Sequence, residues 1–208
     1  MPLDLWLAFV AASTALLLIP GPTVLLVLSY ALSQGKRVAV ASATGVAFGD
    51  LIAMTASLLG LGALVLASAT LFTVLKWIGA VYLVYLGIKL LRAPASTGLE
   101  ATTPPDSSAR QVFGHTATVT ALNPKSIAFF IAFVPQFVQV EAPLLPQFTI
   151  LIATFVGLAA INALAYALAA DRLRQTIRRP AVITWLTRGG GVALIGMGVL
   201  TATLRRSG

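Results

Sequence analysis

From Leu5 to Gly35 the chain runs thirty-one residues without a charged side chain, and Pro20-Gly21-Pro22 sits in the middle of that run. About twenty apolar residues suffice to cross a bilayer as a helix, so the length is ample. The two prolines are what constrain the fold. Each removes a backbone donor and pushes the residue before it out of helical geometry, so one straight helix is excluded. In hydrocarbon the freed backbone groups need other partners, which restricts such breaks to places covered by protein or lining a wet cavity. The stretch predicts a discontinuous membrane helix beside a binding site.

Composition supports the membrane class. The chain has 208 residues, of which 58% are hydrophobic and 10% charged, where a soluble domain carries about 25% charge. The net charge of +8 does not imply nucleic acid, because the basic residues fall in short loops between apolar runs, as the positive-inside rule explains. With no cysteine and one histidine, disulfides, thiol chemistry and Cys- or His-cluster metal sites are excluded. A cleaved signal peptide is not expected: the residues before the first apolar run carry Asp4 and no Lys or Arg, and the run is about twice too long.

Six spans are predicted, at about 4–32, 38–66, 70–92, 112–138, 144–170 and 183–204. A polar segment over 93–111, rich in Pro, Ser and Thr, separates residues 1–92 from 112–208, three spans on each side. A second, basic loop runs from Asp171 to Arg188. Ten Lys and Arg residues follow spans one, three and five, against three (Lys76, Arg205 and Arg206) on the other side. That bias predicts both termini outside the cytoplasm.

The halves match in pattern. Gly45-x4-Asp50 in span two has a counterpart in Gly157-x4-Asn162 of span five, and Gly79-x7-Gly87 in Gly190-x7-Gly198. Pro20-Gly21-Pro22 has its counterpart in Asn123-Pro124-Lys125. Three spans per half is odd, so the second copy enters the membrane inverted. Inverted repeats with breaks in matching positions point to secondary transport. The expected fold is therefore an all-α membrane protein of six transmembrane helices, two inverted three-helix repeats with helices one and four broken.

Asp50 lies twelve residues into span two, about 18 Å at 1.5 Å per residue, near the middle of the bilayer core. A carboxylate there costs about 2.5–3.5 kcal/mol on insertion scales. Lys125 falls at similar depth in span four and is its natural partner, within direct or one-water distance. At the breaks, Pro20, Gly21, Pro22, Asn123 and Pro124 expose backbone: helix N-termini suit a carboxylate and freed carbonyls an ammonium. An α-amino acid carries both. Asn162 offers an amide deep in span five, for a ligand or for helix packing. His115 is expected at an interface, and Trp77, Tyr82 and Tyr85 in the interfacial belt or in packing. Gly45-x3-Gly49 suits close packing within the chain or across a homodimer. No phosphate loop, nucleophile elbow or acidic metal cluster is present, so no cofactor is implied.

Four motifs in order resemble the LysE/RhtB family of amino-acid exporters. They are Ile19-Pro20-Gly21-Pro22; Gly45-x3-Gly49-Asp50; Leu75-Lys76-Trp77-Ile78-Gly79-Ala80-x-Tyr82-Leu83-x-Tyr85-Leu86-Gly87; and Leu122-Asn123-Pro124-Lys125-x4-Phe130-x2-Phe133-x-Pro135-Gln136-Phe137. The resemblance spans essentially the whole chain, more weakly in its last third. It implies a bacterial inner-membrane exporter of amino acids such as homoserine, threonine, leucine or lysine, driven by the proton gradient. The reading that follows is export by proton antiport, with Asp50 and Lys125 coupling to the proton and Pro20, Gly21, Pro22, Asn123, Pro124, Lys125 and Asn162 holding substrate. Export of another metabolite or cation, a non-transporting membrane assembly subunit and a membrane enzyme are the rivals.

Overall fold

The computed structural model describes residues 1–19, 21–34, 36–92, 107–139, 142–177 and 180–203. Among them the regular structure is helical: α1 (Leu3–Leu18), α2 (Pro22–Gln34), α3 (Lys36–Ala67), α4 (Ala69–Arg92), α5 (Ala109–Ala121), α6 (Pro124–Ala132), α7 (Leu144–Ile177) and α8 (Pro180–Thr203). A 3₁₀ turn, Val134–Phe137, follows α6.

Both expected breaks are present. α1 and α2 meet at a bend of 57°, and α5 and α6 at one of 45°. Pro22 and Pro124 are the first residues of α2 and α6, the one helical position where a missing N–H costs nothing and a fixed φ helps. α3 and α7 are each long and apolar enough to cross a bilayer alone, and each bent pair is so taken together. α4 and α8 have 24 residues each, about 36 Å of helix.

Two expected boundaries shift. The polar linker ends at Ser108 rather than 111, because Ser108 and Gln111 form a reciprocal capping box that starts α5 at Ala109. The basic loop from Asp171 is helical to Ile177, and α8 begins at Pro180. Leaving an apolar layer does not end a helix whose next residues, Arg172, Leu173, Arg174 and Gln175, are good helix formers.

Glycines set the helix approaches. A methyl group on Gly49 would lie 2.5 Å from the Ala117 carbonyl oxygen, and one on Gly45 would lie 2.6 Å from that of Phe113. α3 and α5 thus touch backbone to backbone, and they run parallel. The Gly45 and Gly49 face is used inside the chain and offers no dimer surface. Gly87 and Gly191 meet reciprocally, while Gly198 lies against Ala80, so α4 and α8 cross antiparallel. Along α1, Trp6 bonds Thr154 and Leu17 bonds Asn162, which makes α1 and α7 parallel. Leu83 and Leu194, at matching offsets in the two halves, are both buried.

Two cores result. Toward the start of α1, Phe9, Phe129, Phe130, Phe133, Phe137 and Phe155 form a large buried aromatic cluster. Toward the end of α2 the packing is small: Ala31, Ala39, Ala43, Ala163, Ala167 and Ala170, with valines between. Trp77 and Tyr85 are exposed on α4, as a lipid-facing belt would be.

Candidate functional site

The end of α1 decides the site. A helix leaves its last four carbonyls without intrahelical partners; at this end Leu16 and Ile19 are buried in the bundle and Leu18 is exposed. Side chains from the second half of the chain take them up. The Lys125 ammonium donates to the carbonyls of Leu16 and Ile19 at 3.2 and 3.1 Å. The Asn162 amide donates to Leu17 at 3.1 Å, and the Tyr166 hydroxyl to Leu18 at 3.3 Å. Four carbonyls at the first break are held by three side chains, one on α6 and two on α7.

The second break is built differently. Asn123 caps α6, its side-chain oxygen accepting from the Lys125 N–H at 3.1 Å, while its amide donates to Thr23 Oγ1 at 3.2 Å. This ties the start of α6 to the first turn of α2 and orients Lys125, two residues on, across the first break.

Between the breaks lies a cavity lined by Gly21, Asp50, Asn123, Lys125 and Asn162 among others. It offers about 30 Å³ to the centres of water molecules; one water needs ~10–15 Å³ on that measure. It therefore holds a water or two, and no amino acid fits until the helices part. The aromatic core closes one end and the alanine-rich core the other, with Leu16 and Ala159 belonging to both the cavity wall and the aromatic cluster.

Asp50 is 2% exposed, and its Oδ1 has no hydrogen-bond partner among the described residues. Such an atom is uncommon in a native interior; here it lines the cavity. Lys125, expected within direct or one-water distance of Asp50, makes direct hydrogen bonds to the carbonyls of Leu16 and Ile19. The two share the cavity, but the ammonium is drawn to the carbonyls, whose partial charges converge at the helix end. Ser42, two turns before Asp50 on the same helix, is also buried with its hydroxyl unpartnered.

The structure thus gathers Gly21, Asp50, Asn123, Lys125 and Asn162, drawn from four sequence segments, around one space. Pro20 lies outside the described residues. Pro22 and Pro124 are exposed and set the breaks without lining the cavity. His115 is exposed at the far end of the bundle, its Nδ1 2.8 Å from the Tyr30 hydroxyl. Sequence reasoning missed Thr23, Tyr166 and Ser126. Thr23 is the partner of the predicted Asn123, Tyr166 donates to the Leu18 carbonyl, and Asn162-x3-Tyr166 is a one-turn spacing that puts both on one helix face.

Comparison with known proteins gives the family. The family described as LysE type translocator matches residues 14–205. The chain belongs to that family. As a LysE-type translocator it is a membrane transporter, and its relatives agree. A homoserine/homoserine lactone efflux protein of Salmonella typhimurium is 33% identical over the full length of both chains. A leucine efflux protein of Salmonella choleraesuis is 32% identical over 68% of this chain and 66% of its own. A membrane protein of Vibrio cholerae is 34% identical over 99% of this chain and all of its own. No solved structure matches this translocator.

Proposed function

We propose that this translocator exports small amino acids or close derivatives from the cytoplasm across the inner membrane by proton antiport. The single observation that carries this is the cavity between two helix breaks, where carbonyls, an amide, a lysine and a buried carboxyl group with one oxygen unpartnered among the described residues converge. Homoserine, its lactone and leucine, the molecules named for the relatives, share a primary amine on a small carbon skeleton. The carbonyl end of α1 suits that amine, and the N-termini of α2 and α6 suit a carboxylate where there is one.

Six alternating spans in two inverted repeats are supported by helix directions. Parallel packing of α3 on α5 and of α1 on α7, with antiparallel α4 on α8, is what two oppositely inserted three-span copies would produce. Both termini would then face the periplasm. Rocking of the halves around the cavity gives alternating access, with the aromatic core as outer barrier and the alanine-rich core as inner one.

Asp50 is the proton-carrying group. A proton moving down 100 mV supplies about 2.3 kcal/mol, and at ~1.4 kcal/mol per tenfold this supports a gradient of roughly 50-fold. The test is efflux from proteoliposomes loaded with a panel of labelled amino acids, with and without an imposed pH gradient. Gradient-driven efflux of one group of amino acids is the expected result. No movement of any amino acid would turn the search to other metabolites.

A further inference from the structure

We propose that the carbonyl cluster at the end of α1 is a primary-ammonium site, and that Lys125 fills it as a tethered stand-in for the amino group of the transported molecule. This rests on the exporter reading and says how its site is switched.

Three features of the cavity converge. The Lys125 ammonium already makes the contacts a substrate ammonium would make, donating to the carbonyls of Leu16 and Ile19. Gly21 leaves space for it: a methyl there would stand 3.2 Å from Nζ and 3.6 Å from Cε. Asp50 Oδ1, buried in the same cavity, has no partner among the described residues. Two ammonium groups cannot share two carbonyls, because like charges at that separation repel in a low-dielectric interior. Occupation by Lys125 and by substrate is therefore exclusive.

The displaced lysine has one ionised acceptor to go to. Among the described residues, Asp50 and Lys125 are the two that carry a full charge on the cavity wall. Of the elements around them, α7 adds the Tyr166 hydroxyl at the Leu18 carbonyl, α2 adds Thr23, and α5 brings Thr120 against Gly49. With Asp50 ionised, Lys125 swings to it and the carbonyls accept a substrate amine from the cytoplasm. A proton arriving at Asp50 from the outer side removes the counter-charge. Lys125 returns to the carbonyls and expels the amine outward, and the proton leaves Asp50 toward the inner side. One internal cation thus links proton entry to substrate release.

The test uses purified full-length protein and two probes, ethylammonium, which has N–H donors, and tetramethylammonium, which has none. A tethered competitor weakens a free ligand in proportion to its effective concentration, so Lys125→Met is expected to bind ethylammonium about tenfold more tightly than wild type. Tetramethylammonium should bind neither. Equal ethylammonium binding by the two proteins, or tetramethylammonium binding as well as ethylammonium, overturns the proposal. If Lys125→Met is unstable in detergent, the readout is its melting temperature: a rise with ethylammonium alone supports the site, and no rise refutes it. The outcome separates from the exporter reading. Ethylammonium binding to the variant without amino-acid transport by wild type would keep the site and remove the export function; the converse would keep export and remove the tethered lysine.

Discussion

Asn162 donates its side-chain amide to the main-chain carbonyl of Leu17 at 3.1 Å, joining residues 145 apart in sequence. The bond satisfies a backbone group that the helix break sets free, and it fastens α7 to the end of α1. A residue whose role could have been packing or ligand contact serves first as a backbone surrogate on the cavity wall.

Asn162→Ala leaves the Leu17 carbonyl buried without a donor. Interhelical bonds of this kind are worth about 1–2 kcal/mol, so unfolding in mixed micelles should show a loss of that size. Transport should fall as well, because the carbonyl cluster loses its alignment. Asn162→Gln, which can still donate, should recover part of both. Full stability in Asn162→Ala would mean that water replaces the amide.

Asn123 caps α6 and bonds Thr23. Loss of a cap costs ~1 kcal/mol. Asn123→Ser keeps a capping oxygen and Asn123→Ala does not, so stability should rank wild type, then Ser, then Ala. The same ranking is expected for transport, since the cap positions Lys125. Equal stability of the Ser and Ala variants would contradict a capping role.

Asp50→Asn preserves shape and removes the ionisable group. Efflux driven by an imposed pH gradient should drop to the level seen without one, while exchange of labelled for unlabelled amino acid continues. Gradient-driven efflux that survives the substitution would take Asp50 out of the coupling.

Glycine substitutions on α3 should divide by position. A methyl on Gly49 would meet the Ala117 carbonyl oxygen at 2.5 Å, whereas one on Gly60 meets nothing within 4 Å among the described residues. Gly49→Ala is expected to cost about 1–3 kcal/mol through overpacking, and Gly60→Ala to be neutral or gain up to ~1 kcal/mol in helix propensity. Thermal unfolding of the two variants checks this directly.

The membrane class, both breaks, and the deep placement of Asp50 and Asn123 were legible in the sequence. Each rests on local chemistry: apolar length, the missing N–H of proline, the cost of a carboxylate in hydrocarbon. The helix ends near Ala109 and Ile177 were harder, since capping and propensity act within a few residues while hydropathy averages over many. Tertiary structure decided where the buried cation goes. Sequence chemistry pairs opposite charges, which led from Lys125 to Asp50. Folding instead brings α6 across the end of α1, where two carbonyls with converging dipoles lie within reach of one ammonium. It also decided that Gly45 and Gly49 meet α5 rather than a second copy. Partners separated by a hundred residues are chosen by how helices cross, and crossing angles depend on both surfaces at once.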